Sequence, residues 1–272
     1  MRAALIGRGR RPRPGRWLLA AGCVVIAVWM VAPTLVAIPM SLTDKQSFTF
    51  PPSGWSTRWY GQFFTDPQWY ESLLTSLKIA VLVAVVSTVL GTAAAFGLDR
   101  SRFPGKGLVN GLLLAPMIVP LVIVAVGVFA VYLRWQLAGT LTGFVLAHTT
   151  LAVPFVVVTV SSSLRTFDRQ LEGAAASLGA GPWPTFRHVT FPLILPGVLS
   201  GALFAFITSF DEVVVALFIQ SPTLRTLPVQ MFSSVTRNID PTMAAASSMI
   251  MVVTTLLVLA AVFLGGRRSH DG

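Results

Sequence analysis

Two carboxylates, Asp211 and Glu212, stand side by side in a stretch that is otherwise apolar from Gly197 to Gln220. An ionisable group inside a bilayer is expensive and by default marks a transport pathway or a paired site. If that stretch is one helix starting at the cytoplasmic face, the pair lies about 20 Å along it, in the outer half of the membrane. Three readings are open. The span ends near Phe210 and both acids are exposed; or the acids cap a broken helix; or one or both line a translocation cavity and meet a cationic substrate. The remaining reactive side chains point away from enzymatic chemistry. Cys23 is the single cysteine, which excludes a disulfide framework or a thiolate metal site. His148, His188 and His270 are scattered and have no metal-ligand spacing. No Gly-rich phosphate loop is present, so any ATP hydrolysis coupled to this chain belongs to a partner. No catalytic or metal-binding residue is expected.

The elements that must carry these residues are membrane helices. The chain is 54% hydrophobic and 11% charged, with a mean hydropathy of +0.75, against roughly 25% charged residues in soluble domains. A span needs about 20 apolar residues, and six stretches qualify: Trp17–Met40, Ser72–Leu98, Leu108–Leu133, Gly139–Leu164, Gly197–Gln220 and Met243–Gly266. Pro116, Pro120 and Pro154 should kink the third and fourth of them. With the N-terminus in the cytoplasm, fourteen Lys and Arg fall on inside segments and five on outside loops. The positive-inside rule then puts both termini in the cytoplasm. The net charge of +10 is therefore topological, with none of the aromatic interleaving of a nucleic-acid surface. Trp55, Trp59, Tyr60, Trp69 and Tyr70 crowd the outer loop from Ser41 to Glu71, as expected beside lipid headgroups. Leu19-Ala-Ala-Gly-Cys23 has the form of a lipoprotein cleavage box, and Arg10-Arg11 that of a twin-arginine signal. The apolar run continues through Met40, however, so the first span is expected to stay uncleaved. The reading is an all-α membrane protein: a basic tail over 1–16, a six-helix domain over 17–266 and a short tail over 267–272.

The longest inside loop, 165–196, reads RTFDRQLEGAAASLGAGPWPTFRHVTFPLILP. Leu171, Ala174, Ala175 and Leu178 fall at i, i+3, i+4 and i+7, one apolar face on a helix over Arg169–Leu178. Gly179-Ala-Gly181-Pro182 stops it, and a second short helical piece, Trp183–Val189, follows. An apolar face turned to the cytosol suits a helix-in-groove contact with a partner.

This loop resembles the coupling loop of the permease subunits of binding-protein-dependent ABC importers. That pattern is Glu-Ala-Ala, three residues, Gly, nine residues, then Ile-x-Leu-Pro. Aligned on Gly179, the chain supplies Ala174, Ala175, Val189, Phe191 and Pro192 at matching positions, while the motif's glutamate falls on Gly173. Glu172 sits one residue earlier, about 100° away around a helix. The run PMIVP (116–120) and the segment Ser209–Val235, SFDEVVVALFIQSPTLRTLPVQMFSSV, resemble the second permease of spermidine/putrescine-type importers. The resemblance implies a subunit of the bacterial inner membrane with no cofactor of its own, ATP and Mg being bound by partners. Those partners are an ATPase dimer, a second, related permease and a periplasmic substrate-binding protein, all within membrane lipid. It also implies that Ala174, Ala175, Leu178, Gly179 and Pro192 meet the ATPase, with Glu172 and Arg187 at the rim of the contact. Asp211 and Glu212 are then cavity candidates for a polyamine. The same permease type also serves other solutes, such as ferric iron, phosphonates, opines or amino-acid-like compounds. A secondary transporter or membrane enzyme lacks support in the motifs.

Overall fold

The computed structural model describes residues 14–47, 49–236 and 240–267. Residues 1–13 of the basic tail, 268–272 of the C-terminal tail, Arg237 and His270 lie outside them. In chain order the helices are α1 (Pro14–Ser41), α2 (Arg58–Thr65), α3 (Pro67–Arg100), α4 (Lys106–Leu114), α5 (Leu121–Trp135) and α6 (Leu141–Thr166). They continue with α7 (Gln170–Ser177), α8 (Pro182–Thr185), α9 (Phe191–Phe210), α10 (Val214–Ile219), α11 (Leu227–Thr236) and α12 (Thr242–Arg267). A 3-10 turn, Ala115–Met117, closes α4, and a π-helical turn, Phe186–Thr190, joins α8 to α9. No strand occurs among the described residues; Thr43 and Trp55 form one isolated antiparallel bridge.

The chain divides into two compact units, residues 64–238 and residues 1–63 with 239–272. In the second of these, α1 packs along α12. At and beyond the end of α1, Ser41 bonds Tyr60 (2.7 Å) and Trp59 donates its indole N–H to the Thr43 carbonyl (2.7 Å). The larger unit is built on α3, α6 and α9, which pack against one another. Their buried faces carry Ile79, Val83 and Ala95 from α3, Phe144, Ala152, Val156 and Val160 from α6, and Ile194, Val198 and Ala205 from α9. Without a hydrophobic drive between helices in lipid, close backbone approach supplies the packing. A Cβ at Gly91 would lie 2.6 Å from the Val156 Cβ, and one at Gly201 would lie 2.6 Å from the Thr159 hydroxyl. Both glycines are therefore required by contact distance. The outward faces stay apolar and exposed, for instance Val85 and Val89 on α3 and Leu199 and Leu203 on α9, as a lipid environment demands.

Among the described residues, three helices are long and apolar enough to cross a membrane: Pro67–Arg100, Leu141–Thr166 and Pro182–Phe210. Two bent pairs also qualify, Leu19–Ala32 with Thr34–Ser41 and Lys106–Met117 with Leu121–Trp135, giving up to five. Thr242–Leu256 is a shorter apolar helix.

The structure corrects the expected elements in three places. The third stretch is not one kinked helix: its halves meet at 99° across Ile118–Pro120. Pro120 lacks an N–H and takes an extended ψ of 126°, so the helix must end before it and restart after it. Pro154 lies inside the continuous helix α6. The fifth stretch does not run from Gly197 to Gln220: its helix starts at Pro182, ends at Phe210, and a break at Asp211–Val213 leads to the short α10. The expected second loop helix is consequently the root of α9, fused to it by the π turn, and not a separate piece.

Candidate functional site

The 165–196 loop folds as its periodicity requires. Helix α7 buries none of its residues. Leu178 is 89% exposed, and Trp183 at the start of α8 is 67% exposed, so an apolar tip stands in water. The helix ends in a Schellman motif: the Ala180 N–H reaches the Ala175 carbonyl (3.0 Å) and the Gly179 N–H the Ala176 carbonyl (2.9 Å). Gly179 holds a φ of +84°, the left-handed conformation that L side chains resist. Nothing lies within 4 Å of where its Cβ would be, so glycine serves the turn here and not a close approach within the chain. Gly173 likewise faces open space. Arg187 and Pro192 are exposed, on the π turn and the first turn of α9.

Glu172 makes its bonds within the chain. Its carboxylate turns back onto its own chain, accepting both arms of the Arg100 guanidinium (2.6 and 2.5 Å) at the end of α3 and the Thr190 hydroxyl at the root of α9. Beside it the Arg169 guanidinium meets Asp99 (2.7 Å). Arg100 holds the Glu172 carboxyl below its ordinary 4.5; Thr190 and the nearby Arg169 act in the same sense, and burial opposes them. Sequence reasoning missed Arg100, Asp99 and Thr190. Arg100 is 72 residues from its partner, and its only sequence signal was a charge at a span end.

The second site forms where α9 breaks. Glu212 is buried and caps α10, accepting the Val215 N–H (2.7 Å) and the Ala216 N–H (2.8 Å). His148, buried in the middle of α6, bonds the Ser209 hydroxyl through Nδ1 (2.9 Å) and places Nε2 3.5 Å from the Glu212 carboxylate. His148 had no assigned role in the sequence. Asp211 is exposed, and it lines a cavity of about 700 Å³ together with Glu212, Phe155, Thr208 and the Pro116–Leu121 break. Two helix interruptions thus meet at one cavity, as in transporters whose solute sites use unwound segments. Glu212 has the bonds of a helix cap, and Asp211 and Glu212 both line the cavity.

A bacterial ABC transporter that imports the acidic polysaccharide alginate superimposes with a TM-score of 0.70 at 15% identity, covering 96% of this chain and 99% of that one. An amino acid ABC transporter crystallised with histidines gives 0.57 at 20% identity, covering 77% and 98%. Residues 87–270 match the family described as the binding-protein-dependent transport system inner membrane component, and the chain belongs to that family. Among its relatives is the putrescine transport system permease protein PotI of Escherichia coli strain K12, 35% identical over 80% of this chain and 79% of PotI. The spermidine/putrescine transport system permease protein PotC of Haemophilus influenzae is 32% identical over 81% of this chain and 86% of PotC. The chain is therefore an ABC-type transport permease and a multi-pass membrane protein, and the relatives it matches are transport permeases.

Proposed function

We propose that this chain is one of two related membrane subunits of an ATP-driven importer that carries a polyamine, putrescine or spermidine, across the bacterial inner membrane. The observation that carries this reading is Asp211, an exposed carboxylate on a cavity between two helix breaks, in a chain 35% and 32% identical to putrescine and spermidine/putrescine permeases. An alkyl diammonium ion entering such a cavity needs a charge partner and apolar walls, and Phe155, Leu151 and Val214 supply the walls. In this reading the chain makes six spans, with α4 and α5 as the broken third, and both termini are cytoplasmic, as the arginine asymmetry supports. Leu178, Ala174 and Ala175 dock on an ATPase subunit; Gly179 shapes the turn behind them. ATP and Mg stay on the ATPase dimer, and a periplasmic binding protein delivers the solute to the outer face.

Uptake of radiolabelled putrescine by cells lacking their own polyamine importers tests the substrate. The complete system should import putrescine, and uptake should stop when this chain is omitted. Import of an unrelated solute with no competition by putrescine or spermidine would overturn the substrate. Reporter fusions after Lys106 and after His188 should read cytoplasmic, and those near Thr57 and Thr226 periplasmic. A periplasmic signal at His188 would overturn the docking role of the loop.

A further inference from the structure

The ion pairs behind the cytoplasmic loop have a mechanical arrangement that neither the motif nor the family describes. Helix α7 buries no side chain, so packing alone does not fix its position. What holds it is ionic. Arg100 and Asp99, the last charges of α3, grip Glu172 of α7 and Arg169 just before it, and Glu172 also takes the hydroxyl of Thr190, itself buried at the root of α9. One carboxylate therefore ties together segments belonging to α3, α7 and α9. An aromatic stack runs alongside. The Arg100 guanidinium lies 5.9 Å from the centre of the Phe96 ring, Phe96 meets Phe186 edge-on at 5.3 Å, and Phe186 stacks on Trp183 at 5.6 Å. A bidentate Arg–carboxylate pair fixes both distance and orientation, which a single point charge does not.

We propose that Arg100 and Glu172 form a clamp that passes displacement of the loop directly to α3, in addition to the covalent path from the loop into α9. Arg100 and Glu172 are positioning residues: they touch neither solute nor nucleotide. Because α3 packs against both α6 and α9, a push on α7 delivered through the clamp enters the bundle at α3 and bears on α6 and α9, which line the cavity. Without it, α7 moves on its flanking turns and the push enters only through the chain's own connections to α6 and α9. This inference rests on the proposed docking of the loop on an ATPase.

The test uses the native complex, purified through a tag on this chain. Arg100→Gln and Glu172→Gln each keep a polar side chain and remove the charge pairing. Each should lower the stimulation of ATP hydrolysis by the liganded binding protein about five-fold, the effect of a well-oriented but partly exposed pair. Subunit yield and melting temperature should stay unchanged, which a purely structural role would not allow. The double variant should be no worse than the poorer single, because both changes remove one interaction. Unchanged stimulation in the single variants, or losses that multiply in the double, would overturn the clamp. A wild-type complex that is stimulated but moves no putrescine would sink the substrate reading and leave the clamp test intact. A chain that copurifies with no ATPase would overturn both the docking role and the clamp.

Discussion

Asp211 and Glu212 are neighbours in sequence with different work to do. The Glu212 carboxylate is spent on two backbone N–H groups of α10, while Asp211 faces the cavity. Asp211→Asn keeps shape and removes charge. Putrescine uptake should fall about ten-fold or more, the loss expected when a charge-assisted hydrogen bond of roughly 1.5–3 kcal/mol is removed, with little change in melting temperature. Glu212→Ala should do the reverse in emphasis, lowering thermal stability in detergent by about 1 kcal/mol for the lost cap. Normal uptake in Asp211→Asn would remove the cation contact. This division was only one of several possibilities in the sequence, because a side chain's neighbours across the bundle are not written locally. His148 lies 61 residues from Ser209, and nothing in the spacing of histidines announces that contact.

At the scale of the element, the loop helix was the most legible part of the chain. Its four apolar positions, its glycine stop and its boundaries depend on a 3.6-residue period and on φ, both local properties. The same locality explains the misjudged stretches. Hydropathy counts apolar residues without regard to backbone breaks, so the interruptions at Ile118–Pro120 and Asp211–Val213 were hidden inside runs of apolar residues. Gly179 gives a sharp test of the turn. Its φ of +84° with open space around it means that conformation, not volume, sets the requirement. Gly179→Asn should retain most transport, since Asn tolerates the left-handed region. Gly179→Val should lose it, because a β-branched side chain there is strained by at least about 1 kcal/mol. Equal behaviour of the two variants in uptake and in proteolysis of the loop would mean that the turn is not what matters.

For the molecule as a whole, the charge asymmetry and the six apolar stretches sufficed to read a multi-pass membrane protein. The packing of α3, α6 and α9 could not be read that way, since it rests on Gly91 and Gly201 meeting α6 at close range. The exposed tip of the loop carries one more implication, for the life of the protein in the cell. A leucine 89% exposed beside a tryptophan 67% exposed is an unpaid debt of the isolated subunit, a sticky patch of the kind that quality-control proteases and chaperones recognise. If the loop docks on an ATPase as proposed, a subunit made in excess of that partner would carry the mark until covered, and its assembly and survival would be linked. Pulse-chase measurement should find a shorter half-life for this chain when the ATPase gene is absent, restored by supplying the ATPase. Leu178→Ser should lengthen the orphan's life while weakening its docking, separating the degradation mark from the fold that displays it.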